Sequence, residues 1–378
     1  MKKIMLVCGA RPNFMKIAPI VAAIRKSGKT AAYIVHTGQH YDEKMSKSFF
    51  ELLRIPKPDV DLEVGSGSHA EQTAKIMIGF EKVCLEQQPD LVLVVGDVNS
   101  TLACTIVAKK LWIPVAHVEA GLRSFDMRMP EEINRLVTDS ISDLFFTTDP
   151  DANENLRRAG IENSRIHYAG NVMIDTLVGS LDRADQNQIL LEMGLEKGRY
   201  AVLTLHRPSN VDDKETLRGI LKAVDRLQAK LPVVFPAHPR TVKMMESFGF
   251  GEWLKSMAGV KLCEPLDYMQ MLKLNKDAKF MMTDSGGLQE ETTVLGIPCL
   301  TLRENTERPV TVSVGTSEVV GTDTEIILEA AERILAGKWK KGGIPEGWDG
   351  KASERIVEVT EAFLGVRAAA PQRSAVTA

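Results

Sequence analysis

Several clusters of charged and polar residues follow apolar runs of strand length in this chain, and their types suit phosphate binding and proton transfer. The first is Gly9-Ala10-Arg11-Pro12, with Lys16 one helical turn on. Glycine permits a tight turn, a helix start offers unpaired N–H groups, and two cations stand beside it, which suits an anion. An ordinary strand-to-helix turn with solvated cations fits the same residues equally well. The second is Gly96-Asp97, followed by Val98-Asn99-Ser100-Thr101, where Asp97 would sit at the lip of a sheet or serve as a helix N-cap. In His117-Val118-Glu119 the two ionisable residues alternate, so on a strand they share one face. Burying them costs free energy unless they are paired or functional; an ion pair with Arg123 is the structural alternative. Pro130-Glu131-Glu132-Ile133-Asn134-Arg135 reads as a helix start, with proline first and acids in the first turn. Because it follows an acid-bearing strand, it could face the same site.

The second half repeats the pattern. Leu205 leads into His206-Arg207, a pair suited to phosphate or to proton transfer, and His238 is a weaker repeat. Thr283-Asp284-Ser285-Gly286-Gly287 joins a strand to a helix, so backbone N–H groups and the helix dipole can cradle a phosphate. Glu291 lies one turn further in, within reach of a ribose diol, and Thr306-Glu307-Arg308-Pro309 follows the next apolar run. Other motifs fail. Ser27-Gly28-Lys29-Thr30 lacks the leading glycine of a P-loop, since position 23 is Ala23, and reads as a helix end capped by Gly28. No G-x-G-x-x-G follows the first apolar run, which argues against a tight NAD site. No His, Asp or Glu cluster and no cysteine pair has metal spacing.

Elements of two kinds must position these residues. Apolar runs at Ile4–Val7, Ala32–Val35, Leu91–Val95, Val115–Val118 and Leu144–Phe146 alternate with helical patterns, one opened by a capping box at Ser68-His69-Ala70-Glu71 and running to about Gln87. After the polar stretch Arg183–Arg199 come runs at Ala201–Leu205, Val233–Phe235, Phe280–Met282 and Cys299–Leu302, with helices at about Lys214–Gln228, Tyr268–Leu274 and Leu288–Leu295. Short continuous apolar strands between amphipathic helices mean parallel sheets covered on both faces. The fold class expected is α/β, with two doubly wound Rossmann-like domains facing a central cleft and ligands bound at the carboxyl ends of the strands. The join falls near 170–195, giving domains of 1–175 and 176–350. The helix around Ser353–Phe363 suits packing on either, and a small polar tail, 368–378, is expected to be disordered.

Bulk composition agrees. The 378 residues are 44% hydrophobic and 26% charged, with net charge -3, which gives no whole-molecule attraction to nucleic acid or an anionic membrane. No apolar stretch is long enough to span a bilayer. The apolar run after Met1-Lys2-Lys3 ends too soon, at Gly9-Ala10-Arg11, for a secretory signal, and a buried first strand is expected instead. The five cysteines are odd in number, and Cys8, Cys263 and Cys299 lie in apolar runs; they read as reduced core thiols, favouring the cytoplasm.

Taken in order, GARPNFMKIAP (Gly9–Pro19), Gly96-Asp97, HVEAGLR (His117–Arg123), PEEINR (Pro130–Arg135), His206-Arg207, DSGGLQEE (Asp284–Glu291) and TERP (Thr306–Pro309) resemble the non-hydrolysing UDP-N-acetylglucosamine 2-epimerases. Each motif is weak alone, and the ordered set covers nearly the whole chain except the tail. The resemblance implies a fold like the two-domain glycosyltransferases (GT-B), with a C-terminal helix of about 351–366 packed back on the first domain. It implies reversible inversion at C2 of UDP-GlcNAc to give UDP-ManNAc, with no cofactor and no metal, and a homodimer. It assigns Asp97, Glu119 and Glu131 to proton handling, with Glu132 as the possible confusion for Glu131. It assigns Arg11, His206 and Lys16 to the diphosphate and its charge network, Ser285, Gly286, Gly287 and Glu291 to the phosphate and ribose of UDP, and Arg308 to the nucleotide's surroundings. Two stretches depart from the family. Ala10 and Asn13 replace a Thr and a Glu of the opening loop. Gly38-Gln39-His40-Tyr41, with Lys75 in place of an arginine, stands where bacterial members carry a second, regulatory UDP-GlcNAc site, and lysine cannot copy the arginine fork. The alternatives are an epimerase of a modified sugar such as UDP-2,3-diacetamido-glucuronate, a hydrolysing relative that releases free ManNAc, a glycosyltransferase on the same scaffold, and a non-catalytic nucleotide-sugar sensor.

Overall fold

The computed structural model describes residues 1–38 and 55–367, with the backbone alone for Arg11, Pro12, Val366 and Arg367. The tail 368–378 and the stretch Gln39-His40-Tyr41 lie outside the described residues. The chain divides into two compact units, Met1–Thr176 together with the segment from Glu346 on, and Leu177–Pro345.

The first unit holds a seven-stranded sheet. Its strands are β1 (Lys2–Cys8), β2 (Thr30–His36), β3 (Val60–Asp61), β4 (Leu91–Val95), β5 (Val115–Val118), β6 (Leu144–Thr147) and β7 (Ile166–Tyr168). They lie in the order β3-β2-β1-β4-β5-β6-β7, every neighbouring pair parallel. The second unit holds a six-stranded parallel sheet of β8 (Ala201–Thr204), β9 (Val233–Pro236), β10 (Val260–Cys263), β11 (Phe280–Thr283), β12 (Cys299–Thr301) and β13 (Ser317–Val319), in the order β10-β9-β8-β11-β12-β13. Both are doubly wound α/β sheets, as expected, and in each the strand order reverses beside the first strand, between β1 and β4 and between β8 and β11. At such a switch point the loops leave in opposite directions and open a crevice.

Interior strands form where the sequence is continuously apolar. All five residues of β4 (LVLVV) are buried, and helices cover both faces of the sheet. The four strands without a sequence counterpart, β3, β7, β10 and β13, are the four sheet edges. Their residues are mostly part-exposed, so no apolar run marks them.

The longer helices of the first unit are α1 (Arg11–Ser27), α2 (His69–Gln87), α3 (Asn99–Lys110), α4 (Pro130–Ile141), α5 (Pro150–Arg158) and α6 (Val172–Asp185), the last running past the division at Thr176. The Ser68 hydroxyl accepts the Glu71 N–H at 3.2 Å while the Glu71 carboxylate accepts the Ser68 N–H at 3.1 Å, so the capping box starts α2 as read from sequence. Gly28, at φ +64, closes α1. In the second unit come α7 (Lys214–Gln228), α8 (Pro239–Ser247), α9 (Tyr268–Asp277), α10 (Gly286–Leu295) and α11 (Thr324–Leu335). The final helix, α12 (Ala352–Arg367), packs on α1. Asp175 caps it from a distant part of the chain, accepting the N–H groups of Ala352 at 3.0 Å and Ser353 at 2.7 Å. Glu361 on α12 takes hydrogen bonds from Ser27 and Thr30. Among the described residues no helix is long and apolar enough to cross a membrane, and no cluster of three or more His, Cys, Asp or Glu side chains could hold a metal ion.

Candidate functional site

In the first unit the charged residues gather at the carboxyl ends of β1, β4 and β5. The loop from β1 into α1 is locked by Asn13. Its side-chain oxygen accepts the N–H groups of Gly9 at 3.2 Å and Ala10 at 3.1 Å, and its amide donates to the Val95 carbonyl at the end of β4 at 3.1 Å. Two of the donors that the sequence offers to an anion are thus already taken. Arg11 opens α1, and its side chain lies outside the description.

Lys16, one turn into α1, reaches Glu119 with Nζ–Oε2 at 2.6 Å, and both side chains are buried. A Cβ on Gly96 would stand 3.1 Å from that ammonium and 3.8 Å from Glu119 Oε2, so the backbone after β4 passes close beneath the pair. Gly96 also has φ +68, a left-handed conformation that favours glycine. The strand β5 ends at Val118. Glu119 takes φ +66, left-handed, and does not continue the alternation that places it on one face with His117. A non-glycine residue in that region costs about 1–3 kcal/mol and persists where its surroundings hold it; here Lys16 does.

His117 has different partners from those expected. Its Nδ1 lies 2.7 Å from Asp139 on α4 and its Nε2 lies 2.8 Å from the Gly96 carbonyl. Asp139 also meets Arg123 at 2.6 Å and accepts the Gly121 N–H at 3.1 Å. Burial pushes the Asp139 carboxyl up, but the bond and charge of His117, with Arg123 behind them, outweigh it, and the group titrates below the usual carboxylate range. This fully buried ion cluster braces the β4 and β5 tips.

Asp97 is not a helix cap, since Val98 occupies that position of α3. Its side chain stays 30% exposed and meets Arg135 Nη1 at 2.5 Å. Arg135 is itself buried, and its Nε and Nη2 donate to Glu132 Oε2 at 2.9 and 2.7 Å. Glu132 further accepts the N–H groups of Ser124 and Phe125 and the Ser124 hydroxyl. Burial raises Glu132, the Ser124 N–H and Arg135 outweigh it, and its carboxyl is held low. The neighbouring Glu131 is exposed, with no partner among the described residues. The two adjacent acids are thus opposite in kind: Glu132 is saturated and inaccessible, and Glu131 is open.

In the second unit the residues gather at the tips of β8 and β11. Asp284 is buried and collects the N–H groups of His206 and Arg207, the Asn210 amide, and His206 Nδ1 at 2.7 Å. Burial raises Asp284, but His206 and these N–H groups outweigh it, and it lies below the usual range. The His206 side chain is 49% exposed, so Asp284 fixes Nδ1 and leaves Nε2 for another partner. Ser285 is the residue before α10, which begins with the N–H groups of Gly286, Gly287 and Leu288, and these have no backbone acceptor among the described residues. This is the donor set of a phosphate cradle. A Cβ on Gly286 would come 3.2 Å from the Glu307 carboxylate. Glu307 is held to about 2: burial raises it, and Arg308, Arg207 and Arg303 pull it down. Arg308 itself is buried and committed to Glu290. Glu291 is buried, and burial pushes its carboxyl up to about 7; Tyr268 and Asn275 favour its charged form and Glu290 opposes it. The Tyr268 hydroxyl and the Asn275 amide lie close but do not reach hydrogen-bond geometry.

Within the first unit the structure brings Lys16, Asp97 and Glu119 to neighbouring strand tips, with Glu131 at the start of the adjoining helix. Within the second it brings together His206, Ser285, Gly286 and Gly287, with Glu291 one turn along α10. Arg135, Asp139, Asp284 and Glu307 emerge as partners that sequence reasoning did not assign. Arg135 and Asp139 lie four apart on α4, a spacing that marks a shared helix face and does not name the partner.

The UDP-N-acetylglucosamine 2-epimerase family model matches residues 22–361. A UDP-N-acetylglucosamine 2-epimerase of Methanocaldococcus jannaschii is 44% identical over 364 residues, covering 94% of this chain and 98% of its own. A UDP-2,3-diacetamido-2,3-dideoxy-D-glucuronate 2-epimerase of Pseudomonas aeruginosa is 40% identical over 360 residues, covering 94% and 98%. The crystal structure of the Methanocaldococcus jannaschii UDP-GlcNAc 2-epimerase in complex with UDP-GlcNAc and UDP superposes with a TM-score of 0.86, covering 95% of this chain and 99% of that one.

Proposed function

For this chain, which belongs to the UDP-N-acetylglucosamine 2-epimerase family and is an isomerase, we propose the reversible C2 epimerisation of UDP-GlcNAc to UDP-ManNAc by elimination and re-addition of UDP. The C2 hydrogen of the sugar is not acidic. Its removal becomes feasible as the neighbouring C1–O bond breaks and UDP departs, leaving a 2-acetamidoglucal. UDP re-adds to C1 after a proton reaches the opposite face of C2. Two faces require at least two proton-transfer groups, and a leaving diphosphate requires cations and N–H donors.

The observation that carries this reading is that three accessible or ion-paired carboxylates at the β4 and β5 tips and the α4 start have three different environments. Glu119 faces the Lys16 ammonium, Asp97 faces a guanidinium that is already shared, and Glu131 faces none. Carboxylates with such different partners can take different parts in proton transfer. We assign proton handling to these three and charge support to Lys16. His206, fixed by Asp284, and Arg11 stabilise the diphosphate. The α10 terminus at Ser285, Gly286 and Gly287 holds phosphate, Glu291 accepts the ribose hydroxyls, and Arg308, held by Glu290, lends positive charge to the same unit.

The test is proton NMR of UDP-GlcNAc incubated with the enzyme in deuterium oxide without added cofactor. UDP-ManNAc carrying deuterium at C2 is expected. Free ManNAc with UDP would instead establish a hydrolase. No exchange at C2 would reject UDP-GlcNAc as substrate, and the 40% identity to the Pseudomonas aeruginosa enzyme makes UDP-2,3-diacetamido-glucuronate the next substrate to supply.

A further inference from the structure

Asp97 and Glu132 share one buried arginine. Arg135 donates Nη1 to Asp97 Oδ2 at 2.5 Å and gives Nε and Nη2 to Glu132 Oε2 at 2.9 and 2.7 Å. Both Arg135 and Glu132 are almost fully buried, whereas the Asp97 carboxylate opens to solvent. One positive charge between two carboxylates leaves a net charge of -1 on the bridge. Glu132 cannot serve as a proton carrier, because its two oxygens accept two backbone N–H groups, one hydroxyl and two guanidinium N–H groups. Its effect on Asp97 must therefore pass through Arg135.

From this geometry we infer that Glu132 is a positioning residue for Asp97. It fixes the planar fork of Arg135 so that one arm points at Asp97 Oδ2, and it offsets the guanidinium charge so that Asp97 does not face an uncompensated cation. A proton carrier must both hold a set orientation and release what it takes up. An unshared buried arginine would orient Asp97 and at the same time oppose its protonation. The other charges around the Gly96-Asp97 turn are paired among themselves: Lys16 from α1 with Glu119 after β5, and His117 from β5 with Asp139 on α4. Asn134 on α4 holds the Asp97 carbonyl at 2.8 Å, so the backbone is fixed independently of the bridge. The same Glu132 also ties the Ser124 and Phe125 N–H groups, which sets the loop that leads from Glu119 toward Glu131.

The inference rests on the reaction proposed above, and the test separates the two. Glu132→Gln keeps the shape and one acceptor oxygen, removes the charge, and replaces the other acceptor with an N–H donor. Initial rates of C2 deuterium exchange are measured for wild type and variant against UDP-GlcNAc concentration and from pH 5 to 9, with UDP binding measured alongside. The expected result is a fall in kcat of about tenfold to a hundredfold with KM and UDP binding within about twofold, and an acid limb of the kcat profile displaced to lower pH. A purely structural role would lower the active fraction and leave the profile where it was, and that outcome overturns the inference. Wild-type exchange together with unaltered Glu132→Gln kinetics overturns it as well, while the proposed reaction stands. Absence of exchange in wild type overturns both. Should Glu132→Gln not fold, Arg135→Lys carries the same test, because lysine keeps the buried cation and lacks the fork that spans two carboxylates; its kcat falls at constant KM, or the inference fails.

Discussion

Glu291→Gln should make the protein more stable above neutral pH and at the same time blunt its grip on the nucleotide. Glu291 is buried on α10, and its carboxyl titrates at about 7 against an ordinary value of 4.5, first because burial disfavours its charge. The folded state therefore holds this proton more tightly than the unfolded chain. Stability from this group is fully present below about pH 4.5 and is lost as pH rises through 7. At about 1.4 kcal/mol per pH unit, the rise from 4.5 to 7 corresponds to a loss of about 3 kcal/mol across that window. Glutamine cannot ionise and should not lose it. Urea unfolding of wild type and variant side by side from pH 5 to 8 isolates the group, because every other titration cancels in the difference. The expected difference favours Glu291→Gln increasingly up to pH 7 and then levels near 3 kcal/mol. A difference that stays flat across this range, or a variant less stable than wild type at pH 8, would refute the reasoning. A ribose diol donating to the ionised carboxylate would compensate the same penalty. UDP affinity should then rise with pH through 7 in wild type, with a proton released on binding, and show no such dependence in Glu291→Gln. Calorimetry in two buffers of different ionisation enthalpy measures that proton directly.

Other substitutions probe other parts of the machinery. Lys16→Met strands the buried Glu119 without its cation and should cost about 3–5 kcal/mol in urea unfolding as well as C2 exchange; adding Glu119→Gln should restore much of the stability and none of the activity. His206→Asn should leave the melting temperature within a few degrees, since Asp284 keeps two backbone N–H groups and the Asn210 amide, while kcat for C2 exchange falls about a hundredfold or more. Asp175→Ala uncaps α12 and should cost about 1–2 kcal/mol, with faster hydrogen exchange over Ala352–Leu364 at unchanged kinetics.

The interior of each sheet was legible because burial on both faces leaves a continuous apolar run, as in Leu91–Val95. The edge strands were not, because Val260–Cys263 or Ile166–Tyr168 face partly outward and carry no periodic signal. Which residue types stand at the strand tips could also be read, since glycine, acids and histidine interrupt apolar runs there. Their pairing could not. Alternation predicts that His117 and Glu119 share a face, but the left-handed backbone at Glu119 turns its side chain onto Lys16, 103 residues earlier in the chain, while His117 meets Asp139. The choice between Glu131 and Glu132 likewise depends on which side of α4 faces inward, and only the buried Arg135 and the Ser124 and Phe125 N–H groups decide it.

The two units apply one topology to opposite electrostatic ends. At the first switch point the loop donors that would attract an anion are consumed internally, Gly9 and Ala10 by Asn13, and the tips carry Asp97 and Glu119. At the second, Gly286, Gly287 and Leu288 keep their N–H groups, and the nearby acids are disarmed in three ways. Asp284 is saturated by donors, Glu307 is surrounded by arginines, and Glu291, its carboxyl pushed up to about 7 by burial, is only partly ionised at neutral pH. Backbone anion donors are therefore free at the second switch point among the described residues and partly consumed at the first. Asn13 caps the loop donors without adding charge. With an acid at that position the loop N–H groups would still be capped, but a further negative charge would be added beside Glu119, and Lys16 would have to be shared between the two.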